Sequence, residues 1–316
     1  MRDWLGRAAL LAVGIALFFL LPHLVSDFRL FELARVGQYF IAMLGLYVLT
    51  IYTGQVSIGH GAFMAIGGYT TGILVYHRHW EDVRTLPIAG LVAGVAGLLF
   101  GLPALRLRGA YLALATFALA VSVPAIIKKW ESLTGGSTGL LFATFHTNRW
   151  YYNVTWVTAG ILVVLAWIVL ASPVGRTWRA LRDSEVAASS FGIWVPLYKT
   201  LAFGISAAYA GVAGGLLVIL SLGANPNSFP VQLSIYLLVG VAIGSFAGIP
   251  GILLGAAFVE YVQVYAPKWV SDSPGIPTFA FGAALVLAAF AATAFSALTI
   301  RWQSGLKRGP ATKETS

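Results

Sequence analysis

The chain has no cysteine, and only 10% of its 316 residues are charged. Without thiols there are no disulfides, no thiolate metal sites and no cysteine nucleophile. So few charges exclude a water-soluble surface, because a soluble domain carries about 25% charged residues. The zinc-hydrolase motif is missing as well. HExxH does not occur, and neither catalytic nor metal-ligating residues are expected. The glycine-rich LTGGSTGL at Leu133–Leu140 lacks the Lys-Ser/Thr of a P-loop, which excludes nucleotide binding there.

What is present is apolar. Hydrophobic residues make up 59% of the chain, with 35 glycines, and the mean hydropathy is +0.83. A bilayer-crossing helix needs about 20 mostly apolar residues. Ten such runs can be read, near 5–22, 37–53, 56–76, 86–103, 109–127, 151–171, 199–220, 231–247, 250–266 and 278–299. The expected fold class is therefore all-α, a polytopic membrane protein of about ten transmembrane helices. Arg2 and Arg7 precede the first run as in a signal peptide, but no small-x-small cleavage site follows, so it reads as an uncleaved helix.

Charge orients the spans. The formal net charge is +9, but the basic residues lie between apolar runs, which points to membrane topology rather than nucleic acid. With the N-terminus inside, twelve basic and four acidic residues fall on the cytoplasmic side, against eight and six outside. Both termini are expected in the cytoplasm. Ten spans also divide five plus five, with the sixth starting on the opposite side from the first, as in an inverted repeat. The glycine-rich texture of the third span returns in VGVAIGSFAGIPGILLGA of the eighth and ninth.

Three segments depart from generic membrane helix. TGQVSIGHGAFMAIGGY, Thr53–Tyr69, joins two spans with almost no room for a loop. It packs Gln55, Ser57 and His60 among Gly54, Gly59, Gly61, Gly67 and Gly68. Unwound backbone at depth is tolerated only against protein or a wet cavity. Two readings stand: a broken helix lining a pathway, or a tightly packed helix pair whose polar groups bond one another. The second segment is GLPALRLRGAYLALATFAL at Gly101–Leu119, with LTGGSTGL after it, where Arg106 and Arg108 mark the inner surface. The third is the loop Ser172–Lys199. From Thr177 to Phe191 it reads as one amphipathic helix, with Trp178, Leu181, Ala188 and Phe191 on one face and Arg176, Arg179 and Arg182 on another. Arg179–Asp183 and Arg182–Glu185 are candidate intrahelical pairs. Gly192 is expected to end the helix and Pro196 to block its resumption. Such a helix fills the interface or serves as a handle for a soluble partner.

At these segments the sequence resembles the permease subunits of branched-chain amino-acid ABC importers, specifically the M-type. TGQVSIGHGAFMAIGGY is similar to the family's TGQ-S-GH block, GLPALRLRGAYLALATFAL with LTGGSTGL to its second block, and GRTWRALRDSEVAASSFGIWVPLYK to its third. The likeness continues through PNSFPVQLSIYLLVGVAIGSFAGIPGILLGA. The resemblance implies a pore subunit that pairs with a second permease. Two separate ATPase subunits, which hold the ATP and magnesium, would drive it, and an external binding protein would feed it; this chain would hold no cofactor of its own. It implies residence in the inner membrane. It also implies residues 1–36 as an N-terminal helix and external loop, 37–300 as the permease domain with a coupling loop at 172–199, and 301–316 as a basic cytoplasmic tail.

On that basis the candidate substrate pathway comprises Gly54, Gln55, Ser57, Gly59, His60, Phe63, Gly67, Gly244, Ser245 and Glu260. ATPase coupling would fall to Arg179, Arg182, Asp183, Glu185 and Gly192, with Glu185–Gly192 as the coupling helix. Departures occur at Gly61, where Ala-Ala is usual after the histidine, and at Ala242 and Ile243. The expected substrate is a branched-chain or other hydrophobic amino acid, with urea or a short amide as the alternative within the family. An ion-coupled secondary carrier is the alternative from another class. It would rely on His60 and Glu260, the ionisable groups inside the spans.

Overall fold

The computed structural model describes residues 22, 24–104, 107, 109–142, 145–269, 279, 282 and 283. Eleven α-helices and one minimal strand pair are found among them. In chain order they are α1 (Asp27–Tyr47), continued by a wider turn of π-helix at Val48–Tyr52, α2 (His60–Arg78), α3 (Asp82–Ala104), α4 (Ala110–Lys129), α5 (Glu131–Thr134), β1 (Leu140–Leu141) and α6 (Asn148–Ala171). Then follow α7 (Pro173–Asp183), α8 (Glu185–Ser190), α9 (Val195–Leu220), β2 (Gly223–Ala224), α10 (Val231–Gly244) and α11 (Gly248–Trp269). Six helical stretches among the described residues are long and apolar enough to cross a membrane: Asp27–Tyr52, Asp82–Leu102, Tyr111–Lys129, Asn148–Ala171, Val195–Leu220 and Pro226–Tyr265. The expected spans at 5–22 and 278–299 fall almost wholly outside the described residues, as does the tail from 301.

The long stretch Pro226–Tyr265 is two helices. Gly244 packs against Gly251 and Gly240 against Gly255, so α10 and α11 lie antiparallel, folded about the tight turn at Ser245–Ala247. The chain forms two compact units, Met1–Tyr261 and Val262–Ser316. Among described residues the second holds the last turns of α11 and three further helical residues.

In the first unit α9 is the central helix, buried against α1, α2 and α3. Small residues set that arrangement. Gly90, Gly94, Gly97 and Gly101 recur every three or four residues along α3, and each faces α9 at Val212, Ala208, Ala207 and Thr200 in turn. Such a stripe lets two backbones approach closely, which is how membrane helices gain packing energy without a hydrophobic drive. The order of contacts also makes α3 and α9 antiparallel. By contrast, α4 and α6 keep rows of large apolar side chains exposed, including Leu114, Phe117 and Val121 on α4 and Ile161, Leu165 and Ile168 on α6. Exposed leucine and phenylalanine on this scale suit a lipid or subunit contact.

The connections gather at two ends of the bundle. At one end, β1 pairs with β2, His146 Nε2 lies 3.0 Å from Asp82 Oδ2, and His77 bonds the Leu133 carbonyl. The segments that charge counting assigns to the outside meet one another here. The glycines of LTGGSTGL make the turns, with Gly135, Gly136 and Gly139 all at positive φ. At the other end, the 53–55 connection meets the 172–199 loop. The first external loop is shorter than expected, because α1 begins at Asp27 and places Arg35 inside a helix.

Candidate functional site

The Thr53–Tyr69 segment is a broken helix. Thr53 Oγ1 donates to the Leu49 carbonyl at 2.6 Å, and Gly54, at φ +69, turns the chain out of the helix. An L-residue is strained in that left-handed region, and glycine is not. Residues 54–59 have no helical structure, and α2 starts at His60. A buried non-helical backbone must find partners for its N–H groups. Gly54 and Gln55 N–H still donate back to the Thr50 and Leu49 carbonyls, and beyond them the acceptors are hydroxyls. Ile58 N–H donates to Thr116 Oγ1 of α4 at 2.9 Å, Gly59 N–H to Ser57 Oγ at 3.2 Å, and Gly61 N–H to Ser234 Oγ of α10 at 2.9 Å.

Glycine at 59 and 61 follows from this proximity. A Cβ on Gly59 would lie 2.7 Å from the Thr116 carbonyl oxygen, and one on Gly61 would lie 2.8 Å from Ser234 Oγ. His60 is buried, and its Nε2 is 2.9 Å from the Ala42 carbonyl. A carbonyl only accepts, so Nε2 carries the proton. Further along α2, Phe63 packs edge-on to Phe203 at 5.7 Å, and Gly67 packs directly on Gly211 of α9. The segment is therefore broken at its start and tightly packed further along α2. Thr53–Gly59 is the break, and Phe63–Gly68 is the tightly packed pair.

A second stretch outside the α-helices, β2 followed by a single 3-10 turn at Pro226–Ser228, leads into α10. Gly223, Ala224, Pro226 and Phe229 are buried, and the Phe229 ring rests 6.3 Å from that of Tyr69 on α2. With 14 residues, α10 is about 21 Å long, short of the ~30 Å hydrocarbon thickness. The breaks before α2 and α10 converge at the Gly61–Ser234 bond. Thr116 and Ser234 were absent from the sequence-based site. Their only signal is a hydroxyl alone in an apolar run, which many membrane helices carry.

The other pathway candidates lie elsewhere. Gly244 and Ser245 form the turn between α10 and α11, where Ser245 Oγ donates to the Ala242 carbonyl at 3.0 Å. Glu260 is buried on α11 and pairs with Arg35 of α1, whose Nε is 2.9 and 3.1 Å from its two oxygens. His60 and Glu260 thus each have their own partner.

The 172–199 loop is two helices rather than one. Ser172 caps α7, and Pro173 occupies its first turn. Ser184 is extended at φ −162 and caps α8 by accepting from Ala187 N–H. The break at Ser184 re-aims the charges. The ion pairs run Arg182–Asp183 and Lys199–Glu185 instead of along a single helix. Gly192 stops α8 at φ +79 as expected. Pro196 does not block helix resumption, because it sits in the first turn of α9, where its missing N–H costs nothing. Trp178 is fully buried, with Nε1 donating to the Tyr198 carbonyl at 2.9 Å, and anchors α7. Val186 and Phe191 stand out from α8 at 73% and 87% exposure.

The loop grips the break. Arg182 Nη1 donates to the Ile51 carbonyl at 3.1 Å, and its stem covers Gly54. Arg179 lies 5.9 Å from the Tyr52 ring centroid. Gln55 Nε2 bonds Thr53 Oγ1 at 2.9 Å and the Lys199 carbonyl at 3.5 Å. Among the described residues no group of three His, Cys, Asp or Glu side chains could hold a metal.

Residues 29–289 match the sequence model of the permease component of branched-chain amino acid transport systems. The chain is 32% identical over 282 residues to the high-affinity branched-chain amino acid transport system permease protein LivM of Salmonella typhimurium, covering 79% of this chain and 65% of the relative. It is 33% identical over 286 residues to LivM of Escherichia coli, covering 81% and 66%. A probable branched-chain amino acid transport permease protein LivM of Methanocaldococcus jannaschii is 25% identical over 193 residues, covering 58% and 55%. The chain thus spans just under two thirds of the length of the first two relatives. No solved structure matches it.

Proposed function

Because the chain belongs to the permease-component family of branched-chain amino acid transport systems, we propose that it is the membrane-spanning pore subunit of an ATP-driven importer. Its substrate is a branched-chain or other hydrophobic amino acid. Hydrolysis is carried out by two separate ATPase subunits, which hold ATP and magnesium, while a second permease and an external binding protein complete the importer. The chain itself is not an enzyme. It lies in the inner membrane with both termini in the cytoplasm.

The observation that carries this reading is the loop at α7–α8. A short helix displays apolar Val186 and Phe191 to solvent while its base is tied to a broken membrane helix. A soluble ATPase can seat on such a knob, and motion there has a direct route into the membrane. The converging breaks support the pathway. They precede α2 and α10, the third and eighth spans of the sequence count, which are equivalent positions in a five-plus-five inverted repeat. Paired discontinuous helices of that kind mark the binding site in many transporters. A substrate passing there would meet the exposed Val56 side chain.

The test is gentle purification of the tagged chain from native membranes, with co-purifying chains identified by mass spectrometry. ATPase subunits and a second permease support the importer. A chain that emerges alone or as a homo-oligomer overturns it. Competition of uptake by leucine, urea and acetamide then assigns the substrate.

A further inference from the structure

An importer needs the displacement of its cytoplasmic loop to reach the pathway, and the residues that carry it are not evident from the sequence. Besides Arg179 over the Tyr52 ring, three contacts made by Arg182 and Lys199 cross from the loop to the break, and all lie within four residues of Gly54. The first is the Arg182 guanidinium on the Ile51 carbonyl. That carbonyl belongs to the last turn before the break, where the next helical N–H is missing. The second is the Arg182 stem over Gly54, a position with no side chain of its own to keep it at a distance. The third runs through Lys199, whose ammonium pairs with Glu185 at the start of α8 and whose carbonyl accepts from Gln55. Lys199, Gln55 and Thr53 are all buried, so this path is shielded from water. Arg182 keeps its charge balanced through Asp183, leaving Nη1 free to hold the backbone.

Resting on the pore-subunit reading, we propose that Arg182, together with the Glu185–Lys199–Gln55 path, clamps the loop to the Gly54–Gly59 break so that the two move as one piece. Arg182 is then a positioning residue for transport. It touches no substrate, and it passes movement of α8 into the unwound segment whose far end is held by Thr116 and Ser234. The clamp grips the main-chain carbonyl of Ile51, so it uses the backbone of the last helical turn and no side chain of the break.

The cysteine-free chain provides a direct test. A Cβ on Gly54 would stand 3.9 Å from the Cβ of Arg182, within the ~3.5–4.5 Å span of disulfides. Arg182→Cys, Gly54→Cys and the double variant are purified with their ATPase subunits and reconstituted in liposomes. Basal hydrolysis and its stimulation by substrate-loaded binding protein are then measured in reductant and in oxidant. Arg182→Cys should assemble and keep basal hydrolysis but lose stimulation and uptake at least about fivefold, the lower end of usual coupling energies. Cysteine at 54 is strained by the left-handed turn in both redox states, so the double variant is compared with its own reduced form: oxidation should raise stimulation and uptake there and in neither single variant, because a covalent tie replaces the clamp.

Full stimulation in Arg182→Cys would overturn the proposal. So would a double variant that stays uncoupled when cross-linked, which would mean that loop and break must slide past each other. Failure of the disulfide to form, read by gel mobility, would remove the proximity on which the clamp depends. These outcomes are separate from the importer reading, which fails only if the wild-type chain brings no ATPase.

Discussion

Gly67 on α2 packs backbone to backbone against Gly211 on α9, and no side chain fits between them. Gly214 is pressed in the same way against the Met64 carbonyl, so the crossing of the two helices is set by positions that bear no Cβ. The central helix is thereby locked to the helix that follows the break. At the other end of the break the 172–199 loop holds the Ile51 carbonyl.

Gly67→Ala should destabilise the chain by about 1–3 kcal/mol, the usual cost of forcing an extra methyl into a packed core. Gly67→Leu should prevent recovery of folded protein. Gly160, where a Cβ meets open space, is the control, and alanine there should leave the melting temperature in detergent unchanged.

Thr116→Val removes the acceptor for Ile58 N–H, and Ser234→Ala the acceptor for Gly61 N–H. Each leaves a buried donor unsatisfied, at a cost of about 1–3 kcal/mol. Hydrogen exchange followed by mass spectrometry should show faster exchange over residues 54–62 in either variant, with α9 unaffected.

Glu260→Gln breaks a buried ion pair with the half-exposed Arg35. Breaking a fully buried pair costs about 3–5 kcal/mol, and the solvent reaching Arg35 reduces that to about 1–3 kcal/mol. Arg35→Gln combined with Glu260→Gln should recover part of the loss, as coupled neighbours do. Uptake driven by ATP should survive in the double variant. Abolished uptake in a stable double variant would restore the ion-coupled carrier.

Replacing Val186 and Phe191 by serine should reduce co-purification of ATPase subunits without affecting membrane insertion, since both side chains stand in solvent. Unchanged co-purification would move the docking surface elsewhere.

The apolar runs, the glycine punctuation and the basic loop were enough to determine the all-α class. They also placed α1, α3, α4, α6 and α9 to within a few residues, apart from the early start of α1. Helical membrane segments must satisfy their backbone internally, so length and hydropathy alone reveal them. The run of glycines and hydroxyls at Thr53–Tyr69 marked the segment as unusual, but left a broken helix and a tightly packed pair as equal readings.

Only the tertiary structure decided what each polar group does there. Ser184 splits the loop helix through its own backbone angles, and Glu185 consequently meets Lys199, 14 residues on, rather than Arg182. Arg35, which reads as a loop charge, became the partner of Glu260, 225 residues away. Thr116 and Ser234 became the caps of α2 because α4 and α10 bring them within hydrogen-bonding reach of its first turn. Periodicity records which side of its own helix a residue occupies. Which helix lies opposite depends on close packing among several spans at once, and that information exists only in three dimensions.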